Sequence, residues 1–386
     1  MPLRPLSDTL TLRPEVLDSR GLLDMVDLGV LEQGRRRGLA GRGPSTDVLR
    51  DPSAFFDITY PTAEIVGTLE TLSRRSRAPE SVPGTILLSG MYGLGKSHVL
   101  LVAHHALKAP HVVEAWRKRW RLDPIELPKD PIVLTRGFIH RATEPLWEML
   151  VSGLGKEPQK VKDFLDGESI QALLDARPVF VIMDELERWY DAQSVRDKSR
   201  NRNFLQALTE VSMRDARLTL LASVLGETKE PGETIRRVRP LQLSFHSAED
   251  RQRVVLFRLF KNRDTEQAVR VATEVTDAYL GAYAKAKLEE LDGLRERMIA
   301  CWPFTPEFLD ILIKKVPIIG GFQSTRGTLR FLAHVLRSTY QRRPLVSSQD
   351  LPFKDPDVHQ ALSNLAAFTT VWPISGFSCP SSSASA

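Results

Sequence analysis

The sequence predicts an α/β fold, a three-layer domain with a parallel sheet followed by an all-α domain. Three observations predict it. Between about residues 61 and 246, short apolar runs alternate with amphipathic stretches, the pattern in which a helix returns each strand to one sheet. At residues 90–97 a glycine-rich segment joins an apolar run directly to a helical stretch. From Ser247 onward the apolar runs stop and helical spacing takes over. The expected layout is an N-terminal arm at 1–60, an α/β core at 61–246, a helical domain at 247–342 and an irregular, partly disordered tail at 343–386.

In the arm, the Gly- and Arg-rich segment 34–44 predicts an exposed loop, either a solvated linker or one that touches phosphates. Phe55, Phe56, Thr59 and Tyr60 then lead through Pro61 into an amphipathic helix from about Ala63 to Leu72, where proline suits the first turn. These aromatics either pack under the sheet edge or wall a pocket beside the glycine-rich loop.

Thr85 to Ser89 is an apolar run read as a buried strand, and His98 to Leu107 follows with helical spacing. Between them, Gly90-Met91-Tyr92-Gly93-Leu94-Gly95-Lys96-Ser97 matches G-x-x-x-x-G-K-[ST], the phosphate-binding P-loop. A loop that wraps a phosphate must bring backbone N–H groups to it with no Cβ in the way, which Gly90, Gly93 and Gly95 allow. The helix that follows aims its N-terminal N–H groups at the same anion, Lys96 reaches the β- and γ-phosphates, and the Ser97 hydroxyl is a ligand for Mg²⁺. The expected cofactors are ATP and Mg²⁺.

Val113, Trp116 and Trp120 recur at helical spacing among Arg117, Lys118, Arg119 and Arg121, read as an amphipathic helix with a charged outer face. Pro131 to Thr135 is a second strand, with helical cover from Pro145 to Leu154 and from Val161 to Leu174. Pro178 to Met183 is a continuous apolar run that ends in Asp184 and Glu185. A strand buried on both faces delivers such acids to the carboxyl edge of the sheet, where the P-loop also lies. This is the Walker B pattern: Asp184 serves the Mg²⁺ beside Ser97, and Glu185 polarises an attacking water. Glu187 reads as the opening of a polar loop, and Ser194 to Asn203 as polar chain before a helix carrying Phe204, Leu205, Leu208 and Val211. Arg217 to Leu225 is the fourth strand, with Ser223 near its carboxyl end, and Leu241 to Phe245 is the fifth. Helices are expected at Ala248 to Phe260, Glu266 to Ile299, Thr305 to Val316 and Ser324 to Tyr340, with Gly320-Gly321 as a turn and a Ser-rich tail from Ser378.

Composition bounds the partners. The chain of 386 residues is 42% hydrophobic, ample for a core, and its two cysteines are too few for a disulfide framework. A net charge of +5 permits a nucleic-acid partner without demanding one. No run approaches the roughly 20 apolar residues of a bilayer span, so the expectation is a cytoplasmic chain without a membrane partner.

Taken together, these residues resemble the AAA+ superfamily, and more narrowly the large AAA+-like ATP-binding proteins of bacterial phage-defence loci, found beside DNA methyltransferases and helicases. The narrower resemblance is carried by Phe55-Phe56 with Thr59 to Thr62, by the P-loop continuing into His98, and by Trp302 to Glu307 with Phe322 to Arg330. It implies ATP hydrolysis coupled to movement of a helical lid, a homo-oligomer, partner proteins of a methyltransferase/helicase locus, and DNA contacted indirectly. It also implies a nucleotide site of residues 90–98 with Ser223 sensing the γ-phosphate and Arg326 as the lid arginine, Arg330 one turn on. One of Arg236, Arg237 and Arg239, Arg237 foremost, would serve a neighbouring subunit as an arginine finger. Leu94 departs from a loop position that is usually small in this group, and the group's chains continue well past the lid, where this one ends in a Ser-rich tail. Two other readings stay open: a nucleotide-gated binding module that hydrolyses slowly or not at all, and a component of a DNA translocase or helicase.

Overall fold

Five strands form one parallel sheet: β1 (Thr85–Gly90), β2 (Ile132–Gly137), β3 (Val179–Asp184), β4 (Leu218–Leu225) and β5 (Leu241–Ser244). Their spatial order is β2-β3-β4-β1-β5, all neighbours parallel. The computed structural model describes residues 3–17, 28–29, 31, 44–138, 145–156, 165–226, 230–244, 247–286, 292–316, 324–356 and 358–359. The Gly- and Arg-rich segment before Pro44, the turn at Gly320-Gly321 and the Ser-rich tail lie outside the described residues.

Successive residues of a strand face opposite sides, and both sides are covered, which makes the three layers. Ile86 and Leu88 of β1, Phe180 and Ile182 of β3, and Leu221 of β4 pack with the helices Ala63–Arg77, Lys96–Lys108 and Pro110–Trp120. Leu87, Val179, Val181, Met183, Leu220 and Ala222 point the other way, into the helices Leu146–Gly153, Gly167–Leu173, Leu186–Asp191 and Val195–Arg214. The helices start where side chains supply caps: Asp51 accepts from the Ala54 N–H at 2.7 Å, and Ser194 from the Asp197 N–H at 3.2 Å. That second cap corrects one expectation. Ser194 to Asn203 is not loop; the helix Val195–Arg214 begins immediately after Ser194. Its first half is polar because it is largely exposed, except for Asn201, whose Oδ1 accepts the Leu146 N–H at 3.0 Å.

The end of the sheet opposite the glycine-rich loop is tied by a buried cation. Arg75 places its guanidinium among the carbonyls of Ser212, Asp215 and Leu218 at 3.0, 3.0 and 3.1 Å, and reaches those of Pro79 and Val82. Burial pulls its pKa down, while the charges of Asp215 and Glu80 oppose that shift. Beside it, Gly84 leads into β1 so close to the Val195–Arg214 helix that a Cβ would fall 1.7 Å from the Ser212 carbonyl oxygen.

The chain divides into two compact units, Arg20–Asp250 and Met1–Ser19 with Arg251–Ala386. Residues 1–60 therefore do not stand apart as an arm. The helices Pro44–Arg50 and Pro52–Asp57 belong to the sheet unit, and the first residues belong to the helical one. There, the Leu6 N–H donates to the Arg343 carbonyl at 2.8 Å, Leu12 bridges Phe260, and Arg337 Nε donates to the Val16 carbonyl at 3.0 Å. The helical unit contains Ala248–Leu259 from Arg251 on, Glu266–Lys285, Leu294–Cys301, Pro306–Asp310 continuing into a π-turn, and Ser324–Thr339. The single helix expected from Glu266 to Ile299 is thus two among the described residues, the second starting after Gly293. Phe260, Phe304, Phe308 and Phe331 form a run of ring contacts at 6.1–6.4 Å through this core.

Two predictions follow from these contacts. Gly84→Ala drives a methyl group into a backbone carbonyl, so it should destabilise the sheet unit by about 3 kcal/mol in chemical denaturation; an unchanged midpoint would contradict the close approach. His104, half-buried, has its Nδ1 2.7 Å from Thr135 Oγ1 of β2, and burial, with His105 and Lys108 adding to it, pushes its pKa from 6.5 down to about 3. The folded imidazole stays neutral where the unfolded one binds a proton, so stability is fully present above pH 6.5 and is lost as pH falls toward 3. His104→Asn should flatten that acid limb in unfolding titrations across pH, and a limb equally steep in both proteins would refute the assignment.

Candidate functional site

The glycine-rich loop leaves β1 at Gly90 and enters the helix Lys96–Lys108 at Gly95. Gly95, at φ 105°, is the N-cap and offers no side chain to the first-turn N–H groups, which therefore face the loop. No L side chain adopts that backbone comfortably. Met91 and Tyr92 form the exposed tip, while Gly93, Leu94, Ser97 and His98 are half-buried. Lys96 folds back along the loop, and its Nζ donates to the carbonyls of Gly90 and Met91 at 2.7 and 2.9 Å. Burial lowers the Lys96 pKa; Asp184, Glu187 and Glu185 counter that shift, so three carboxylates act on one cation.

The acids reach this place through the register of the sheet. β4 lies between β1 and β3, pairing Leu88 with Ser223 and Gly90 with Leu225 on one side, and Met183 with Ala222 on the other. Asp184 ends β3 and is 2% exposed. The Ser223 hydroxyl donates to Asp184 Oδ1 and accepts the Glu185 N–H at 3.1 Å. Ser223, expected as a sensor of the γ-phosphate, is 1% exposed, and its hydroxyl is engaged with the acid pair.

Glu185 itself is left-handed, at φ 58° and ψ 46°, and caps the helix Leu186–Asp191. A residue with a Cβ in that region costs about 1–2 kcal/mol and persists only where its surroundings hold it. Its Oε2 pairs with Arg188 Nε at 3.3 Å, and the Arg188 guanidinium lies 5.4 Å from the centroid of the Tyr92 ring.

Glu187 was missed as a site residue. It is helical rather than loop, 7% exposed, and accepts the N–H of Leu225 at the end of β4. Burial raises its pKa, and the charge of Asp184 adds to that. The available signal was its place three residues past Asp184, which a helix beginning after Glu185 turns back toward the sheet edge.

Phe55 and Phe56 are fully buried, Trp116 donates to the Thr59 carbonyl at 2.9 Å, and His98 stands over the Phe55 ring at 4.5 Å with Nε2 3.0 Å from Thr59 Oγ1. These aromatics pack under the sheet rather than wall a pocket. On the Pro110–Trp120 helix, Lys118 pairs with Glu114 at 3.1 Å and Arg119 with Asp57 at 2.9 Å, as on an ordinary amphipathic helix. Arg236 donates to the Gly226 carbonyl at 2.9 Å, whereas Arg237 is largely exposed, 4.0 Å from Glu230. Arg326 lies on the first turn of Ser324–Thr339, in the helical unit.

No protein-family model matches the chain, and no curated protein matches it. Among solved structures it is similar to domain III of the replication initiation protein DnaA from Thermotoga maritima, at 12% identity and a TM-score of 0.35, covering 81% of this chain and 95% of that one. It is also similar to PCH-2 from C. elegans, at 13% identity and a TM-score of 0.36, covering 82% of this chain and 73% of that one. The case for function stands on the residues themselves.

Because one hydroxyl serves both acids, Ser223→Ala should destabilise the sheet unit by about 1–3 kcal/mol. In a double-mutant cycle with Asp184→Asn the loss in the double variant should fall short of the sum of the two single losses by about 1 kcal/mol, since both break the same bond. Strict additivity in chemical denaturation would show that the bond carries nothing.

Proposed function

We propose that the chain binds ATP with Mg²⁺ and hydrolyses it to ADP and phosphate. The observation that carries this reading is the bridge from Ser223 to Asp184 and Glu185, which holds two acids at the sheet edge against β4, the strand that pairs with the one feeding the glycine-rich loop. The donor set fits the ligands: glycine backbone that admits a phosphate, a cation in Lys96, a hydroxyl in Ser97 and a buried carboxylate in Asp184. Ser97 and Asp184 would hold Mg²⁺, which when bound neutralises charge on the phosphate oxygens. Lys96 would exchange its bonds to the Gly90 and Met91 carbonyls for the β- and γ-phosphates, compensating the charge that develops there. Glu185 would take the proton of the attacking water while its backbone N–H stays on Ser223.

The resemblance to AAA+ proteins supports a reading in which turnover moves the helical unit as a lid, with Arg326 on its nucleotide side. It also supports an oligomer in which Arg237, exposed at the end of the helix Gly232–Arg236, acts on the neighbour's γ-phosphate. For the setting we propose a bacterial phage-defence or DNA-modification complex, on the resemblance carried by Phe55-Phe56 with Thr59 to Thr62 and by Trp302 to Glu307 with Phe322 to Arg330.

Purified protein decides the matter by ATP binding and turnover. Lys96→Ala should abolish ATP binding and leave the fold intact, and equal affinity in variant and parent would remove the phosphate-loop assignment. Glu185→Gln keeps the shape but cannot take the proton; it should bind ATP and lose at least about 100-fold in turnover. Asp184→Asn should weaken only the Mg²⁺-dependent part of binding. If Arg237 acts in trans, mixing Glu185→Gln with Arg237→Ala chains should restore turnover, whereas a mixture as inactive as its components rules that out.

A further inference from the structure

A strained turn carries the acid pair, and two hydrogen bonds to alternate residues of one strand hold it. Glu185 is left-handed at φ 58°, and its N–H is taken by Ser223 Oγ at 3.1 Å. Two residues on, Glu187 accepts the N–H of Leu225, two residues beyond Ser223. The pairing of β3 with β4 ends at Met183 and Ala222, so the Leu225 N–H lies past the last strand partner on that side. The Glu187 carboxylate continues the edge in place of a strand. On its other side Leu225 pairs with Gly90, the residue at which the glycine-rich loop leaves the sheet.

We propose that Glu187 is a positioning residue for the reaction: by holding the Leu225 N–H it braces the turn of Asp184 and Glu185 against the strand that borders the glycine-rich loop. This rests on the ATPase reading for its consequence and on the structure alone for the brace. The role needs an acceptor at Oε1 and a side chain of this length, and it needs no proton transfer by Glu187. The glutamine side chain supplies the same acceptor; alanine supplies none. Without the brace, Glu185 relaxes from the left-handed region and its carboxylate is no longer presented at one place, whereas the loop glycines, Lys96 and Ser97 keep their own geometry. Loss of Glu187 should therefore fall on turnover and spare nucleotide affinity.

The test compares the parent with Glu187→Gln and Glu187→Ala in the full chain, at a temperature where all three are folded by circular dichroism. Turnover and ATP affinity are measured with Mg²⁺, and amide hydrogen exchange is followed at Glu185. Glu187→Gln should keep turnover within about threefold of the parent, and Glu187→Ala should lose on the order of tenfold or more in kcat with affinity changed less than about threefold. The Glu185 N–H, which Glu187 does not touch, should exchange about tenfold faster in the alanine variant alone. Parental kcat in Glu187→Ala, or a glutamine variant as impaired as the alanine one, overturns the positioning role. If the parent itself turns over no ATP, the ATPase reading fails and the exchange at Glu185 judges the brace: faster exchange upholds it, and equal exchange in all three proteins removes it.

Discussion

The site depends on one hydroxyl. Ser223 donates to Asp184 and accepts from the backbone of Glu185, so a single side chain on β4 sets the position of one acid and the backbone of the next. It reaches both because β4 is inserted between the strand that ends in the acids and the strand that feeds the glycine-rich loop. A parallel sheet brings the carboxyl ends of its strands to one edge, and the register here aligns Leu88 with Ser223 and Met183 with Ala222. A slip of one residue would turn the hydroxyl to the opposite face and leave Asp184 buried without its donor.

Rigidity is distributed to match. At the far end of the sheet, Arg75 gathers carbonyls from the turn after its own helix, from the end of the Val195–Arg214 helix and from the start of β4, and Gly84 permits the contact with the Ser212 carbonyl. The central strands β1, β3 and β4 are almost wholly buried, and the tip of the glycine-rich loop, Met91 and Tyr92, is exposed.

The charges at the carboxyl edge of the sheet act on one another. Burial lowers the Lys96 pKa; Asp184, Glu187 and Glu185 oppose that shift, and Glu185 also faces Arg188. A polyanion entering this set competes with carboxylates for the lysine, and a divalent cation relieves their mutual repulsion; each makes room for the other.

The sequence by itself determined the class of the fold and the order of its strands along the chain. Continuous apolar runs such as Val179 to Met183 suit only strands covered on both faces, and the spacing from Gly90 to Ser97 has a local backbone reason for every glycine. It also brought Lys96, Ser97, Asp184 and Glu185 forward as candidates, because strand ends and a helix start are local features. What the tertiary structure alone decided was which strand lies beside which, and everything that follows from it. Ser223 props the acids because β4 sits next to β3. Glu187 looks like solvated chain until the helix after Glu185 turns it onto the Leu225 N–H. The run from Ser194 to Asn203 is too polar to announce a helix, and it forms one because Ser194 caps it and Asn201 is buried against the Leu146 N–H. Hydrogen bonds between residues 38 and 39 apart, such as Leu225 to Glu187 and Ser223 to Asp184, leave no periodicity in a sequence; only the packed sheet brings their partners together.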